Sequence, residues 1–178
     1  MQKVTLKDKT FELSIPYERI LEAIETLAGK INQDFEGREP LFLVILNGSF
    51  MFSADLMKKI SVNCQVSFVK LSSYEGTQST HNVRKLIGLN EEIRGRSVII
   101  LEDIIDTGIT MEHLLEEIGF FEPAEIKIAT LLFKPAALQK DIAIDYVGIE
   151  IPNDFIVGYG LDYDGLGRNL KDIYKIVS

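Results

Sequence analysis

The stretch Glu102-Asp103-Ile104-Ile105-Asp106-Thr107-Gly108-Ile109-Thr110 concentrates carboxylates, hydroxyls and a glycine in one short run. Each type has a chemical use. Two adjacent carboxylates, Glu102 and Asp103, can hold a sugar diol directly or through a hard divalent cation such as Mg²⁺, which takes oxygen ligands. Successive backbone N–H groups around Thr107, Gly108, Ile109 and Thr110, backed by the positive end of a following helix, can cradle a phosphate, and the two threonine hydroxyls can add bonds to it. Asp106 is then left beside whatever carries the phosphate and the diol, in the place of a general base. Taken one at a time, these residues are as well explained by a helix cap at Asp106 or Thr107 and by solvated carboxylates at a strand end. The whole set together is not.

Such groups need rigid elements to aim them. Val98, Ile99, Ile100 and Leu101 are apolar without a break, which suits a strand buried on both faces of a parallel sheet. That strand is expected to stop where the charge begins, at Glu102. Past the turn, Met111, Leu114 and Leu115 begin a helical pattern that ends near Ile118-Gly119. The same succession recurs earlier, with an apolar run at 41–46, then Asn47-Gly48-Ser49, then a helix over 50–60. A helix after Ser14 and Pro16 is marked by Ile20, Ile24, Leu27 and Ile31 at helical spacing. Further strands are expected at 10–13, 66–71, 125–133, 146–149 and 173–177, with Lys134-Pro135 stopping the third of these. Residues 72–82 have almost no apolar side chain and read as a mobile loop, of the kind that often carries function. Alternating strands and helices predict an α/β fold, a parallel sheet with helices on both faces, and ligands at the carboxyl ends of its strands. With no internal repeat or low-complexity linker, residues 1–178 read as one domain.

Composition narrows the function. Nineteen basic residues against 27 acidic ones give a net charge of -8, which speaks against a nucleic-acid coat or a membrane-surface protein. An acidic chain that handles phosphates must neutralise them locally. No stretch approaches the roughly 18 apolar residues that span a bilayer, and the first residues lack a signal-peptide core, so a cytoplasmic protein is expected. The lone Cys64 cannot form an internal disulfide, and with only His81 and His113 there is no Cys/His zinc site.

The apolar strand followed by Glu102-Asp103-Ile104-Ile105-Asp106-Thr107-Gly108-x-Thr110 resembles the ribose-phosphate motif of the phosphoribosyltransferases, and its wording is similar to the hypoxanthine-guanine phosphoribosyltransferases. The resemblance continues, in the family's order, over most of 41–168. It implies a Rossmann-like, type I phosphoribosyltransferase sheet with a small hood subdomain contributed by roughly 1–14 and 151–178. Leu46-Asn47-Gly48-Ser49 stands where the family has its pyrophosphate loop, although relatives commonly carry Lys or Arg at the position of Asn47. Ser73-Tyr74 resembles the dipeptide of the flexible lid. Lys134 matches the lysine that donates to the exocyclic oxygen of the purine. Phe155 and Ile156 match the residue that stacks on the base and the one whose backbone bonds its edge. Asp162 matches a residue that approaches the base and holds a second metal, and Arg168 a pyrophosphate arginine. Alone, Asn47-Gly48 would pass for an ordinary turn, Lys134 for an exposed strand-end lysine and Phe155 for core.

The reaction implied is transfer of a ribosyl phosphate from phosphoribosyl pyrophosphate to a purine ring nitrogen, with Mg²⁺ held by Glu102, Asp103 and Asp162. The 6-oxopurines hypoxanthine and guanine would be converted to IMP and GMP. The family makes a homodimer or homotetramer the expected assembly. Two rival readings are a phosphoribosyltransferase for another base, opposed by Lys134, Phe155 and Asp162, and a nucleotide-sensing RNA-binding regulator, opposed by the negative charge.

Overall fold

The computed structural model describes residues 2–74 and 83–177. Its centre is a six-stranded sheet in the order β5-β4-β3-β6-β7-β8, made of β3 (Leu41–Ile45), β4 (Gln65–Tyr74), β5 (Val83–Ile87), β6 (Ser97–Ile105), β7 (Glu125–Phe133) and β8 (Tyr146–Glu150). All neighbours are parallel except β5, which runs antiparallel to β4 at the edge. The apolar runs explain the layering, because successive side chains of a strand point to opposite faces. Phe42 and Val44 of β3 and Ile99 and Leu101 of β6 pack on one side with Ile20, Ile24, Leu27 and Ile31 of α1 (Tyr17–Asp34) and Phe52 and Leu56 of α2 (Phe50–Met57). Leu41, Leu43, Ile45, Val98 and Ile100 pack on the other with Met111, Leu114 and Ile118 of α3 (Ile109–Gly119).

A second, antiparallel sheet joins the two ends of the chain in the order β1-β2-β10-β9, from β1 (Lys3–Leu6), β2 (Lys9–Ile15), β9 (Ile156–Val157) and β10 (Ile173–Ile176). Its own small core is Phe11, Val157 and Tyr174. Among the described residues no helix is long and apolar enough to cross a membrane.

Four expectations need correction. The central strand does not stop at Leu101: β6 runs on to Ile105, with Glu102 in register with Thr130 of β7. The ladder is a main-chain structure, and the charge of Glu102 does not break it because that side chain emerges at the sheet's carboxyl edge. Residues 72–74 belong to β4, where Ser73 pairs with Arg84 and Tyr74 with Val83; residues 75–82, and the side chains of Ser73 and Tyr74, lie outside the described residues. The second helix ends at Met57, short of Ile60. Strands β1, β5 and β9 have no counterpart in the expected elements, since each is held by a partner strand rather than by a strong apolar run.

Candidate active site

A cavity of about 560 Å³ opens at the carboxyl ends of β3, β6 and β7. The large sheet contributes Glu102, Asp103, Asp106 and Lys134 to its wall, and the segment leading to and from β9 contributes Phe155, Ile156, Asp162 and Arg168. An adjoining hollow of about 300 Å³ is bounded by Asp106, Thr107, Gly108, Thr110 and Met111.

The carboxylate pair is set into the floor. Glu102 Oε1 accepts a hydrogen bond from Ser49 Oγ at 3.2 Å and from the Asp103 N–H at 3.1 Å, while Asp103 Oδ1 accepts from the Ile104 N–H at 2.7 Å. Asp103 is 9% exposed and lies directly over the loop after β3, where a β-carbon on Gly48 would stand 1.6 Å from its Oδ2. Only glycine admits that approach. Burial, and then the neighbouring Asp103, raise the Glu102 carboxyl well above its ordinary range; burial also raises Asp103. Nearby cations are engaged elsewhere, Lys134 with Asp106 and Arg168 with Asp162. Among the described residues these two buried, hard oxygen donors form no ion pair, although the charge of Arg168 bears on Asp103, and they suit Mg²⁺, which usually takes one or two carboxylates and completes its shell with water and substrate phosphates. Among the described residues no three acidic, His or Cys side chains converge as a metal cage.

Because the folded chain holds these protons more tightly than the unfolded one, the pair contributes stability below the ordinary carboxylate range. That contribution is lost as pH rises through the raised values. At pH 8, Glu102→Gln, which fixes the neutral form, is therefore expected to raise the melting temperature of the ligand-free protein by roughly 2–4 °C. A melting temperature that stays level or falls would show that the ionised pair carries no penalty.

Asp106 and Lys134 face each other from the ends of adjacent strands. Lys134 Nζ donates to Asp106 Oδ2 at 3.2 Å, and the lysine is only 7% exposed. Its position is fixed by its N–H, which donates to the Ile105 carbonyl at 3.0 Å and extends the β6–β7 pairing by one residue. Phe155 is 46% exposed, with its ring supported by Phe11 at 6.3 Å and by the edge of Tyr163 at 6.0 Å. A ring braced from behind and open in front suits stacking on a planar ligand. Ile156 is buried in β9, opposite Lys175 of β10. Arg168 is held by two bonds, Nη1 to the Gly160 carbonyl at 2.6 Å and Nη2 to Asp162 Oδ1 at 2.8 Å; Asp162 Oδ2 accepts from the Gly165 N–H at 2.8 Å.

Helix α3 begins at Gly108, whose φ of 82° is in the left-handed region, and no side chain caps it. Neither Asp106 nor Thr107 is an N-cap; Thr107 Oγ1 accepts only a long 3.4 Å bond from the Ile109 N–H. The turn and the start of α3 together suit an anion. A β-carbon at Gly108 would meet Leu138 Cδ1 at 3.0 Å, so the turn is also packed from outside.

The family model for the phosphoribosyl transferase domain matches residues 16–164. Hypoxanthine phosphoribosyltransferase of Salmonella typhimurium is 40% identical over 171 residues, covering 94% of this chain and 96% of that one. The chain belongs to the hypoxanthine-guanine phosphoribosyltransferases. Membership makes it a transferase of purine salvage. The Lactococcus lactis hypoxanthine-guanine phosphoribosyltransferase is 41% identical over 165 residues, 92% of this chain and 90% of the relative. A crystal structure of a Bacillus anthracis hypoxanthine-guanine phosphoribosyltransferase superposes with a TM-score of 0.85 at 38% identity, covering 93% of this chain and 98% of that one.

Within this phosphoribosyltransferase, most of the sequence-predicted residues share the two adjoining hollows: Gly48, Glu102, Asp103, Asp106, Thr107, Gly108, Thr110, Lys134, Phe155, Ile156, Asp162 and Arg168. Asn47 and Ile109 are exposed and do not line either one. Seven apolar lining residues had no expected role at the site, Ile45, Leu46, Leu71, Ile104, Ile105, Met111 and Leu161; such positions are indistinguishable in sequence from core. Ser49, placed by the sequence in the pyrophosphate loop without a role of its own, is fully buried against Glu102. Its place directly after Asn47-Gly48 is a signal that could have pointed to that contact.

Proposed function

We propose that this chain transfers the phosphoribosyl group from phosphoribosyl pyrophosphate to a ring nitrogen of hypoxanthine or guanine, giving IMP or GMP and pyrophosphate. The observation that carries the reading is the Lys134–Asp106 contact in the same cavity as Phe155. A buried ammonium, a carboxylate and an open aromatic face are what a 6-oxopurine needs: a donor for its oxygen, an acceptor for its proton, a surface for its ring. As Lys134 turns from Asp106 to the purine oxygen, Asp106 is released to take the proton of the ring nitrogen.

The remaining groups hold the donor. The turn at 107–110 anchors the 5′-phosphate, Glu102 and Asp103 fix the ribose hydroxyls, and Arg168 with the Gly48 loop meets the pyrophosphate. Glu102 and Asp103 would hold Mg²⁺, with Asp162 toward a second ion, and a bound ion would supply positive charge that helps pyrophosphate leave. Charge placement matters because the anomeric carbon becomes cationic as the bond to pyrophosphate breaks. In this reading Ser73-Tyr74, at the end of β4, would belong to the lid that excludes water from that cation.

The small sheet acts as the hood of a single domain in this reading. We read the assembly as a cytoplasmic homodimer or homotetramer, and the exposed Val66 and Phe68, two residues apart on one face of β4, support association. Turnover with phosphoribosyl pyrophosphate, Mg²⁺ and a panel of bases tests the function; activity confined to adenine or pyrimidines, or none, would overturn it.

The carboxylate assignment has its own measurement. The double substitution Glu102→Gln with Asp103→Asn is expected to weaken donor binding in Mg²⁺ by about tenfold or more in titration calorimetry. Binding of equal strength to wild type would reduce the pair to a polar floor.

A further inference from the structure

Tyr159 stands in the left-handed region, at φ 48°, between Gly158 at 100° and Gly160 at 98°. Three such residues in succession make a sharp turn, closed by reciprocal 3.0 Å bonds between Gly158 and Leu161. A non-glycine residue is held in that conformation only by its surroundings. Here the surroundings are specific. The Tyr159 ring is 2% exposed and its hydroxyl donates to Asp55 Oδ2 on α2 at 2.6 Å. Asp55 in turn accepts from Tyr17 at 3.2 Å and from Lys58 at 2.9 Å. Burial and the Asp55 carboxylate both raise the Tyr159 hydroxyl, so it remains a donor.

The turn it holds touches the site from two sides. A β-carbon on Gly160 would come within 2.0 Å of the Gly48 carbonyl oxygen, so the turn lies directly on the loop beneath Asp103. The Gly160 carbonyl accepts from Arg168, and its N–H donates to the Arg168 carbonyl at 3.0 Å. Helix α2 begins immediately after the Gly48 loop, so the Tyr159–Asp55 bond closes a circuit from loop to helix to turn and back to loop.

We infer that Tyr159 and Asp55 are positioning residues that set the Gly158–Leu161 turn, and with it Arg168, against the Gly48 loop, acting on the pyrophosphate half of the site. The inference rests on the phosphoribosyltransferase reading above and deepens it. Neither side chain is assigned a contact with substrate; the effect passes through the backbone of Gly160 and the guanidinium of Arg168.

The test is Tyr159→Phe, which keeps the ring and deletes the bond, beside Asp55→Ala and Asp55→Asn. The expected result for Tyr159→Phe is a rise of about tenfold in KM for phosphoribosyl pyrophosphate and in Kd for inorganic pyrophosphate, with Kd for IMP changed less than about twofold. Asp55→Ala should match it, the double variant should add nothing further, and Asp55→Asn, whose amide oxygen still accepts, should recover most of the loss. Amide hydrogen exchange at Gly48 and Gly160 should quicken in step. Equal weakening of pyrophosphate and IMP, or a lowered melting temperature with wild-type constants, would overturn the inference. Were wild type inactive with every base, the functional reading would fail alone; unchanged exchange at Gly48 and Gly160 in Tyr159→Phe would still overturn the pin, and quickened exchange would sustain it.

Discussion

Replacing Lys134 by methionine is expected to abolish the preference for oxopurines. An ammonium only donates, so it bonds the 6-oxygen of hypoxanthine or guanine and meets the 6-amino group of adenine donor to donor. Sites built around one such polar contact reject analogues lacking it by up to about 10⁴- to 10⁵-fold. Lys134 is suited to that role because it is buried and its strand end is fixed by Ile105. The ratio of kcat/KM for hypoxanthine over adenine should therefore be very large in wild type and fall by at least about a hundredfold in Lys134→Met. Methionine fills nearly the same volume, so a folding defect should not confuse the outcome. A large ratio that survives the substitution would show that another group reads the base.

Asp106→Asn is expected to lower kcat by about a hundredfold or more, the usual worth of a positioned general base, while binding of phosphoribosyl pyrophosphate changes little. The substitution also removes the counter-charge of Lys134. That consequence should be mild for stability, because the Asp106 side chain is 45% exposed and water can solvate the pair from its side. Single-turnover kinetics separates the two effects. A chemical step at the wild-type rate would remove Asp106 as base, whatever happens to the melting temperature.

How much of this was legible before the fold was known depended on whether the decisive interactions are local. Strand β7 carries its own boundaries, an apolar run closed by Lys134-Pro135, and α1 carries its own period. The turn at 107–110 was legible because its residues are contiguous. Strands β1 and β2 were less so, since β2 finds its second partner in β10, about 160 residues away. Asp55 and Tyr159 meet across 104 residues and neither looks unusual in its own segment. The glycines on both sides of Tyr159 were a usable clue to its backbone, though not to its partner. Glu102 was placed at the wrong side of a strand end because side-chain charge says where a strand meets solvent, whereas main-chain pairing with β7 decides where it ends.

The second sheet has a consequence for how the molecule comes into being. Its middle pair joins β2, near the start of the chain, to β10, which begins at Ile173. On a ribosome, the early strand must wait unpaired on that side until the segment from Ile173 has been made, and β9, with Ile156, has no strand to pair with before then. The side of the pocket that carries Phe155 and Ile156 is thus completed after every strand of the six-stranded sheet has been made. Clipping the chain ahead of Ile173 should leave a folded sheet that still retains phosphate at the 107–110 turn but has nowhere to seat a purine.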